Sequence, residues 1–311
     1  MPNELLQYGV LIGVLASGVR LAAPFLYAAL GEMFAERAGV LNLGVEGIML
    51  MGAFSSFWAT LQTGSLWLGL LMGMAVGGLM GLAMAVISVT FKAEQGISGI
   101  GLYLFGWGLS SLLFRLTIGS VTGIQGFAPV AIPLLSDLPL LGAVLFRQNL
   151  LVYLALLLVP ISHIVLFRTT FGLKVRAVGE HPAAADTLGV NVYAIQYICV
   201  VLGGVLAGLA GAFLTLGHMN MFVDNISAGR GFIAIALVYF GRWRPWGILA
   251  GSLLFSVVDA LQIWAQVLGV NAPYEAMVVL PYALTIVVLA LAVGRSREPA
   301  AINKPYTRGE A

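Results

Sequence analysis

Long apolar stretches separated by short polar ones dominate this sequence. Nine of them have the length of helices: roughly 6–30, 40–60, 66–90, 97–117, 149–166, 192–214, 229–241, 246–265 and 276–293. Because about 20 apolar residues cross a hydrocarbon core ~30 Å thick, most of these stretches are long enough to span a membrane. The pattern predicts an all-α polytopic membrane protein, a bundle of roughly eight to ten transmembrane helices with glycine-broken segments.

Two polar islands interrupt this apolar pattern. They are LNLGVEG at 41–47 and DNISAGRG at 224–231, and each opens a glycine-containing apolar helix. Interrupted segments in corresponding places of two halves are typical of a solute site near the membrane midplane. Polar groups are costly in hydrocarbon, so they face a cavity or a partner. The islands predict a substrate pathway that includes Asn42, Glu46, Asn225 and Arg230.

The roles of these residues have alternatives. Glu46 is either a carboxylate on the pathway or a structural carboxylate that caps a helix end. Asn42 carries a neutral amide that suits the edges of a sugar or a base, whereas Arg230 and Asp224 flank the second island and fit the outer interface better than the pathway. The whole stretch 31–47 is either a cytoplasmic turn followed by a helix or a broken helix inside the bundle, where protein covers irregular backbone.

A polar segment at 168–192, RTTFGLKVRAVGEHPAAADTLGVNV, predicts a short helix outside the membrane. Pro182 suits the first turn of a helix because its missing N–H costs nothing there. Gly189 supplies a C-terminal stop. Such a helix either inserts into a groove on a soluble partner or simply connects two spans.

The composition supports the membrane class. Hydrophobic residues make up 60% of 311 residues, charged residues make up 9%, and the mean hydropathy is +1.00. A soluble domain carries roughly 25% charged residues. We therefore expect a single transmembrane domain over 1–311 in contact with membrane lipid. The net charge of +2 is too small to indicate a nucleic-acid partner, and the single Cys199 excludes an intrachain disulfide.

Basic residues orient the bundle, since Lys and Arg are retained on the cytoplasmic side. Nine spans with the N-terminus outside place most of them inside, together with a cytoplasmic tail at 295–311. The set comprises Arg37, Lys92, Arg168, Lys174, Arg176, Arg242, Arg244, Arg295, Arg297, Lys304 and Arg308. The six tryptophans are Trp58, Trp67, Trp107, Trp243, Trp246 and Trp264. Most of them fall near predicted span ends, so interfacial anchoring explains the set better than the alternative, stacking on a base.

Signatures of catalysis are sparse in this sequence. The chain contains no Gly-Lys dipeptide, so it lacks the phosphate-binding loop of an ATPase. His163, His181 and His218 are far apart in sequence, and no metal-ligand motif is present. These features predict a transporter subunit rather than an enzyme. The alternative is a secondary transporter of a small polar solute that is driven by an ion gradient, for which Glu46 and Asp259 are the mid-helix carboxylates.

Several segments resemble one family. PFLYAALGEMFAERAGVLNLGVEGIMLMGAF (24–54) and GLKVRAVGEHPAAADTLGVNV (172–192) are similar to the nucleoside and simple-sugar permeases of bacterial ABC importers, which are related to branched-chain amino acid and ribose permeases. The stretches 201–216 and 229–255 are similar too, so the resemblance covers nearly the whole chain in order.

The resemblance implies a specific assembly. The chain looks like the smaller permease of a heterodimeric pair in the bacterial cytoplasmic (inner) membrane. Its partners would be a second permease chain, an ABC ATPase with two fused nucleotide-binding domains and an extracytoplasmic solute-binding lipoprotein. ATP would bind to the ATPase, so this chain needs no cofactor of its own, and the solute would pass between the permeases by alternating access.

Two parts of this chain acquire roles from the resemblance. The segment 172–190 would couple transport to the ATPase, and 38–47 would be part of a broken segment near the central cavity. The residues that match the coupling segment are Gly172, Arg176, Gly179, Glu180, Pro182, Ala184 and Gly189. The identity of the solute does not follow from the sequence, because selectivity can reside in the capture protein.

Overall fold

A computed structural model of the protein describes residues 2–133, 135, 136, 138, 141–268, 279, 283, 286, 287 and 298–309. In chain order its elements are α1 (Pro2–Arg37), α2 (Val45–Thr63), α3 (Leu66–Ala85), α4 (Gln95–Thr117), β1 (Pro129–Ala131), α5 (Leu141–Leu145), β2 (Arg147–Asn149), α6 (Leu150–Arg168), α7 (Thr170–Glu180), α8 (Pro182–Thr187), α9 (Val192–Phe213), α10 (Arg230–Phe240) and α11 (Pro245–Val267). Short π-helical turns extend α3 over Val86–Thr90 and α9 over Leu214–Met219.

The prediction of an all-α polytopic membrane protein is confirmed. Within the part of the chain that the structure describes, six helices are long and apolar enough to cross a membrane: Gly9–Arg37, Leu66–Thr90, Gln95–Thr117, Leu150–Arg168, Val192–Met219 and Pro245–Val267. The stretches predicted at 40–60 and 229–241 correspond to α2 and to the shorter apolar helix α10. The last predicted stretch, 276–293, falls almost wholly outside the described residues.

Glycines allow the central helices to pack backbone against backbone. Gly69, Gly73, Gly77 and Gly81 recur at every fourth residue of α3, which places them on one face. A Cβ added to Gly77 would lie 2.4 Å from the carbonyl oxygen of Gly204 on α9. Small residues at such contacts are typical of helix pairs in membranes. This close contact holds α9 at the centre of the helical bundle, and 78% of the apolar stretch of α9 is buried.

The first helix is longer than the apolar pattern predicted. It continues past residue 30 through the polar sequence GEMFAER and ends at Arg37. Burial explains the extension, because Glu32 and Glu36 lie inside the bundle and are at most 1% exposed. Hydropathy alone ends the span too early, since it counts a buried carboxylate as a loop residue.

The connection predicted at 118–148 contains more structure than the expected short surface helix. Besides α5, it forms a small antiparallel hairpin in which Pro129 pairs with Asn149. Backbone N–H groups of Ile124 and Phe127 donate to the carbonyl oxygens of Asn220 and Leu216. The connection therefore lies across the end of α9 rather than extending freely into solvent.

The polar segment 168–192 forms two helices. The short helix predicted from Pro182 is present as α8, and Gly189 ends it with a φ of +81° and an N–H that donates to the Asp186 carbonyl oxygen at 2.9 Å. The preceding helix α7 was not predicted. Thr169 caps it, because its Oγ1 accepts the N–H of Gly172 at 3.1 Å.

Several predicted cytoplasmic segments meet at one end of the bundle. The Arg37 guanidinium donates to the Trp243 carbonyl oxygen at 3.1 Å, and Lys92 Nζ donates to Thr307 Oγ1 at 3.0 Å. The tail 298–309 also reaches α7, where the N–H of Ala301 donates to the Gly179 carbonyl oxygen at 2.9 Å. These contacts join the ends of α1 and α3, the turn after α10 and the predicted coupling segment.

Candidate functional site

Glu46 joins the two polar islands inside the bundle. Its side chain is 1% exposed. One carboxylate oxygen accepts hydrogen bonds from Ser227 Oγ at 2.6 Å and from the N–H of Gly229 at 2.7 Å. The other accepts the N–H of Gly231 at 2.5 Å. The carboxylate therefore caps the N-terminus of α10, whose first N–H groups have no partner within the helix.

The local sequence explains this geometry. Gly44 precedes α2 without a side-chain cap, and Glu46 follows in the first turn of the helix. A negative charge near the N-terminus of a helix is favourable, and here the single carboxylate lies in the first turn of α2 and at the start of α10. Gly231 is required at the contact, since an added Cβ would lie 2.6 Å from the Glu46 Cα. Of the two interpretations of Glu46, these contacts match the helix cap, and its role on the pathway stays a prediction.

Between α1 and α2 the chain forms an irregular segment at 38–44 that is mostly buried. Buried side chains satisfy its backbone: Glu32 Oε1 accepts the N–H of Asn42 at 2.7 Å, and Gln95 Oε1 accepts the N–H of Leu41 at 2.8 Å. Irregular backbone at membrane depth is tolerated where protein covers it. Of the two alternatives for 31–47, the broken helix inside the bundle is the one observed.

Asn42 helps to form this break. Its side chain is 1% exposed, and its Oδ1 accepts the N–H of Gly44 at 2.9 Å. An asparagine that bonds its own backbone two residues on stabilises a turn, so the amide oxygen is engaged within the segment. Contact between Asn42 and a solute stays a prediction.

Two buried carboxylates beside the break had no functional assignment from the sequence. Glu32 and Glu36 are one helical turn apart on α1, and Glu36 Oε2 accepts the indole N–H of Trp243 at 2.5 Å. Glu32 Oε2 and Glu36 Oε1 have no hydrogen-bond partner among the described residues. Trp243 is 1% exposed, so its predicted interfacial anchoring is wrong. The only signal in the sequence was the pair of carboxylates spaced by four between two apolar runs.

The second island has a buried half and an exposed half. Arg230 is half-buried, and its guanidinium donates to the carbonyl oxygens of Ile226 at 3.4 Å and Ser227 at 3.3 Å. Asn225 is exposed and has a φ of +56°. Asp224 forms an ion pair with Arg115 at 3.5 Å. The loop therefore covers Glu46 on one side and faces outward on the other.

An aromatic face lies next to this loop, formed by Tyr103 and Trp107 of α4 and Phe232 of α10. The rings of Tyr103 and Trp107 are stacked, with centroids 6.1 Å apart and planes at 6°. Phe232 meets Tyr103 edge to face at 5.2 Å. Trp107 lies thirteen residues into a 23-residue helix, so it is far from either end of the span. The prediction of interfacial anchoring is therefore wrong for Trp107.

The predicted coupling residues of α7 pack on neighbouring backbone. An added Cβ at Gly179 would lie 2.1 Å from the Arg37 carbonyl oxygen, and one at Gly172 would lie 2.2 Å from that of Val165. The Arg176 guanidinium lies 5.2 Å from the centre of the Phe167 ring. These contacts fix α7 against the ends of α1 and α6.

The predicted coupling residues at the end of α7 and on α8 are more accessible. Glu180, Pro182 and Ala184 line a cavity of about 580 Å³ together with the tail residues Ala300, Ala301, Lys304, Pro305, Tyr306 and Thr307. Leu188, which follows α8, is 85% exposed. The end of the chain is fixed beside it by an ion pair of 2.8 Å between Arg308 and Asp186. Among the described residues, no three His, Cys, Asp or Glu side chains are grouped to hold a metal ion.

Comparison with known proteins places this geometry in context. Residues 14–289 match the family described as "Branched-chain amino acid transport system / permease component". The chain is 40% identical to the "Putative glucose ABC transporter permease protein TsgC13" of Haloferax volcanii, over 95% of this chain and 98% of that one. Two guanosine ABC transporter permease proteins of Bacillus subtilis are also similar. NupQ is 38% identical over 93% of this chain and 94% of its own length, and NupP is 28% identical over 88% and 78%.

A solved structure shares the fold. It is described as "An inward-facing conformation of a putative metal-chelate type ABC transporter", and the match covers 90% of this chain and 85% of that chain. The TM-score is 0.51 at 15% sequence identity.

Proposed function

This chain belongs to the family of branched-chain amino acid transport system permease components, and we propose that it is a permease subunit of an ATP-driven importer for nucleosides or similar small solutes. The observation that carries the proposal is near-full-length similarity, at 40% and 38% identity, to a glucose and a guanosine permease. The multi-pass helical bundle agrees with that role.

The pathway in this proposal passes the junction of the two islands. Asn42, Glu46, Asn225 and Arg230 belong to or adjoin broken helical segments, and such segments border solute sites in other transporters. The Glu46 carboxylate ties the start of α2 to the start of α10. A change between outward- and inward-open forms therefore moves both helix ends together, which changes the width of the pathway beside them.

Coupling to ATP in this proposal takes place at the segment 172–190. The segment forms α7 and α8, and the exposed Leu188 directly follows α8. An exposed apolar side chain on a short surface helix suits a groove on a soluble partner, here an ABC ATPase. Because α7 packs directly on the end of α1, movement of the ATPase would reach the broken segment through a rigid contact.

The proposed assembly has four kinds of component in a bacterial cytoplasmic membrane. They are this chain, a second related permease, the ATPase and an extracytoplasmic solute-binding lipoprotein. Support for a second permease comes from Bacillus subtilis, where two guanosine permeases both resemble this chain. The clustering of Arg37, Lys92 and Arg308 at one end supports a cytoplasmic C-terminus and an outside N-terminus.

Co-purification tests the assembly. A tagged copy of this chain is expressed with its genomic neighbours, and we expect an ABC ATPase and a second permease to elute with it in detergent. The control is a tagged membrane protein of similar size from the same host. A chain that purifies alone and carries out uptake driven by a proton or sodium gradient would instead support the secondary-transporter alternative.

A further inference from the structure

Helix α4 has two different accessible sides. Only 22% of its apolar stretch is buried in this chain. Phe105, Leu112 and Leu116 form one side, which is purely apolar and more than half exposed at each residue. The other side carries residues at every fourth position, which lie in a row along a helix. That row is Tyr103, Trp107, Ser111 and Arg115.

The polar end of this row is incompatible with lipid tails. The hydroxyl of Ser111 donates to a carboxylate oxygen of Asp224, and Arg115 pairs with the other oxygen at 3.5 Å. Both side chains of the pair are accessible, at 75% for Arg115 and 44% for Asp224. Arg115 lies in the last turn of α4, where a long basic side chain reaches water at the membrane interface. The row therefore leads from a hydrated end into the membrane.

The aromatic end of the row lies deep in the membrane. With a rise of 1.5 Å per residue, Trp107 is about 18 Å from the start of a helix about 34 Å long. Trp107 is 41% exposed and Phe232 is 39% exposed, so the surface of this chain alone does not cover them. Tryptophan as a lipid anchor belongs at the membrane–water interface rather than at this depth.

The aromatic face is also tied to both broken segments. An added Cβ at Gly106, one residue before Trp107, would lie 2.4 Å from the carbonyl oxygen of Gly47. Phe232 directly follows Gly231, whose N–H is held by Glu46. The positions of the rings are therefore set by the same junction that joins the two islands.

We propose that the aromatic face of Tyr103, Trp107 and Phe232 contacts the planar base of a nucleoside as it passes through the importer. Every base has a π-face, so stacking on aromatic side chains accepts purines and pyrimidines alike. The inference rests on the proposed function and deepens it, because the face distinguishes a solute with a planar base from a simple sugar. It selects nucleosides from the two solute classes named for the relatives.

Transport by the complete complex in membrane vesicles tests the proposal. Trp107→Leu and Phe232→Leu are expected to lower the initial rate of guanosine uptake below saturation by about tenfold, the order that base stacking supplies. Trp107→Phe keeps a stacking surface and retains most of the rate. Phe105→Leu on the apolar side is the matched control and transports at the wild-type rate.

Cysteine accessibility separates solute contact from a structural role. The single native cysteine, Cys199, is fully buried, so the chain provides a low background. In the complex, a charged maleimide should label Trp107→Cys and Phe232→Cys faster than Phe105→Cys, and guanosine should slow labelling at the first two sites alone.

The outcomes distinguish the two proposals. A wild-type complex without ATP-dependent uptake of either guanosine or glucose contradicts the proposed function, whereas ATP-dependent uptake of glucose without guanosine overturns the aromatic face alone. Wild-type uptake that is unchanged by Trp107→Leu and Phe232→Leu overturns the aromatic face instead. Labelling at Trp107→Cys and Phe232→Cys that is as slow as at Phe105→Cys, and insensitive to guanosine, overturns it as well, since lipid or the second permease would then cover the face.

Discussion

The carboxylate of Glu46 accepts the backbone N–H of Gly231 at 2.5 Å, a contact between residues 185 positions apart. Gly229 and Ser227 donate to the same carboxylate. One acidic side chain therefore organises the start of α10 from the start of α2. This relationship connects the two polar islands and sets the positions of Phe232 and the loop before it.

Removing the Glu46 carboxylate should leave three donors without a partner, two of them buried and one partly buried. An unsatisfied buried polar group costs about 1–3 kcal/mol, so Glu46→Ala should lower the melting temperature in detergent and abolish uptake. Glu46→Gln keeps one acceptor oxygen and should have a smaller effect on both. Asp224→Asn, at an exposed carboxylate of the same loop, is the control. Wild-type melting and uptake in Glu46→Ala would contradict the helix-cap account.

Gly231 should tolerate no side chain. In Gly231→Ala the new Cβ would meet the Glu46 Cα and N at 2.6 Å, and forced overpacking typically costs about 1–3 kcal/mol. We expect a lower melting temperature and reduced uptake. Gly101→Ala on α4 is the matched control, because nothing lies within 4 Å of its added Cβ. Equal melting temperatures for the two variants would mean that α2 and α10 are not in this contact.

Leu188 should matter for assembly but not for stability. Its side chain is 85% exposed, so Leu188→Asp should leave the melting temperature of the isolated chain unchanged. The same change should reduce co-purification of the ATPase by about tenfold or more, because it replaces an apolar anchor at the interface with a charge. The control is Val121→Asp, which makes the same change at an exposed residue of the connection after α4. Undiminished recovery of ATPase with Leu188→Asp would exclude this residue from the docking surface.

The tail should be held more by burial than by its ion pair. Tyr306 is 9% exposed and its ring lies 5.7 Å from that of Tyr193, whereas Arg308 is 73% exposed in its pair with Asp186. An exposed ion pair contributes about 0–1 kcal/mol, so Arg308→Ala should change little. Limited proteolysis of the two variants under identical conditions should cleave the tail faster in Tyr306→Ala than in Arg308→Ala. The reverse order of protease sensitivity would show that the charge is the main tether.

Local patterns predicted much of the fold. The apolar runs located the spans, and Pro182 and Gly189 located α8, because each signal lies within its own element. The same patterns ended α1 at residue 30, since Glu32 is polar and its burial depends on distant helices. They also missed α7, whose short polar sequence carries no span signal.

The site was predictable as a set of segments but not as a geometry. Both islands were recognised from glycine and polar residues, yet their contact through Glu46 depends on chain positions more than 180 residues apart. Periodicity within one helix contains no information about such a partner. The aromatic face was missed for a related reason, because Trp107 was judged by its type and Phe232 had no feature in the sequence that set it apart.

Uptake by purified complex in proteoliposomes tests the central claim most directly. Labelled guanosine and labelled glucose are supplied with the solute-binding protein, with internal or external ATP, and separately with an imposed proton or sodium gradient. The account predicts guanosine uptake that requires ATP on the ATPase side and is lost when this chain is omitted. Uptake that follows the ion gradient and ignores ATP would contradict it.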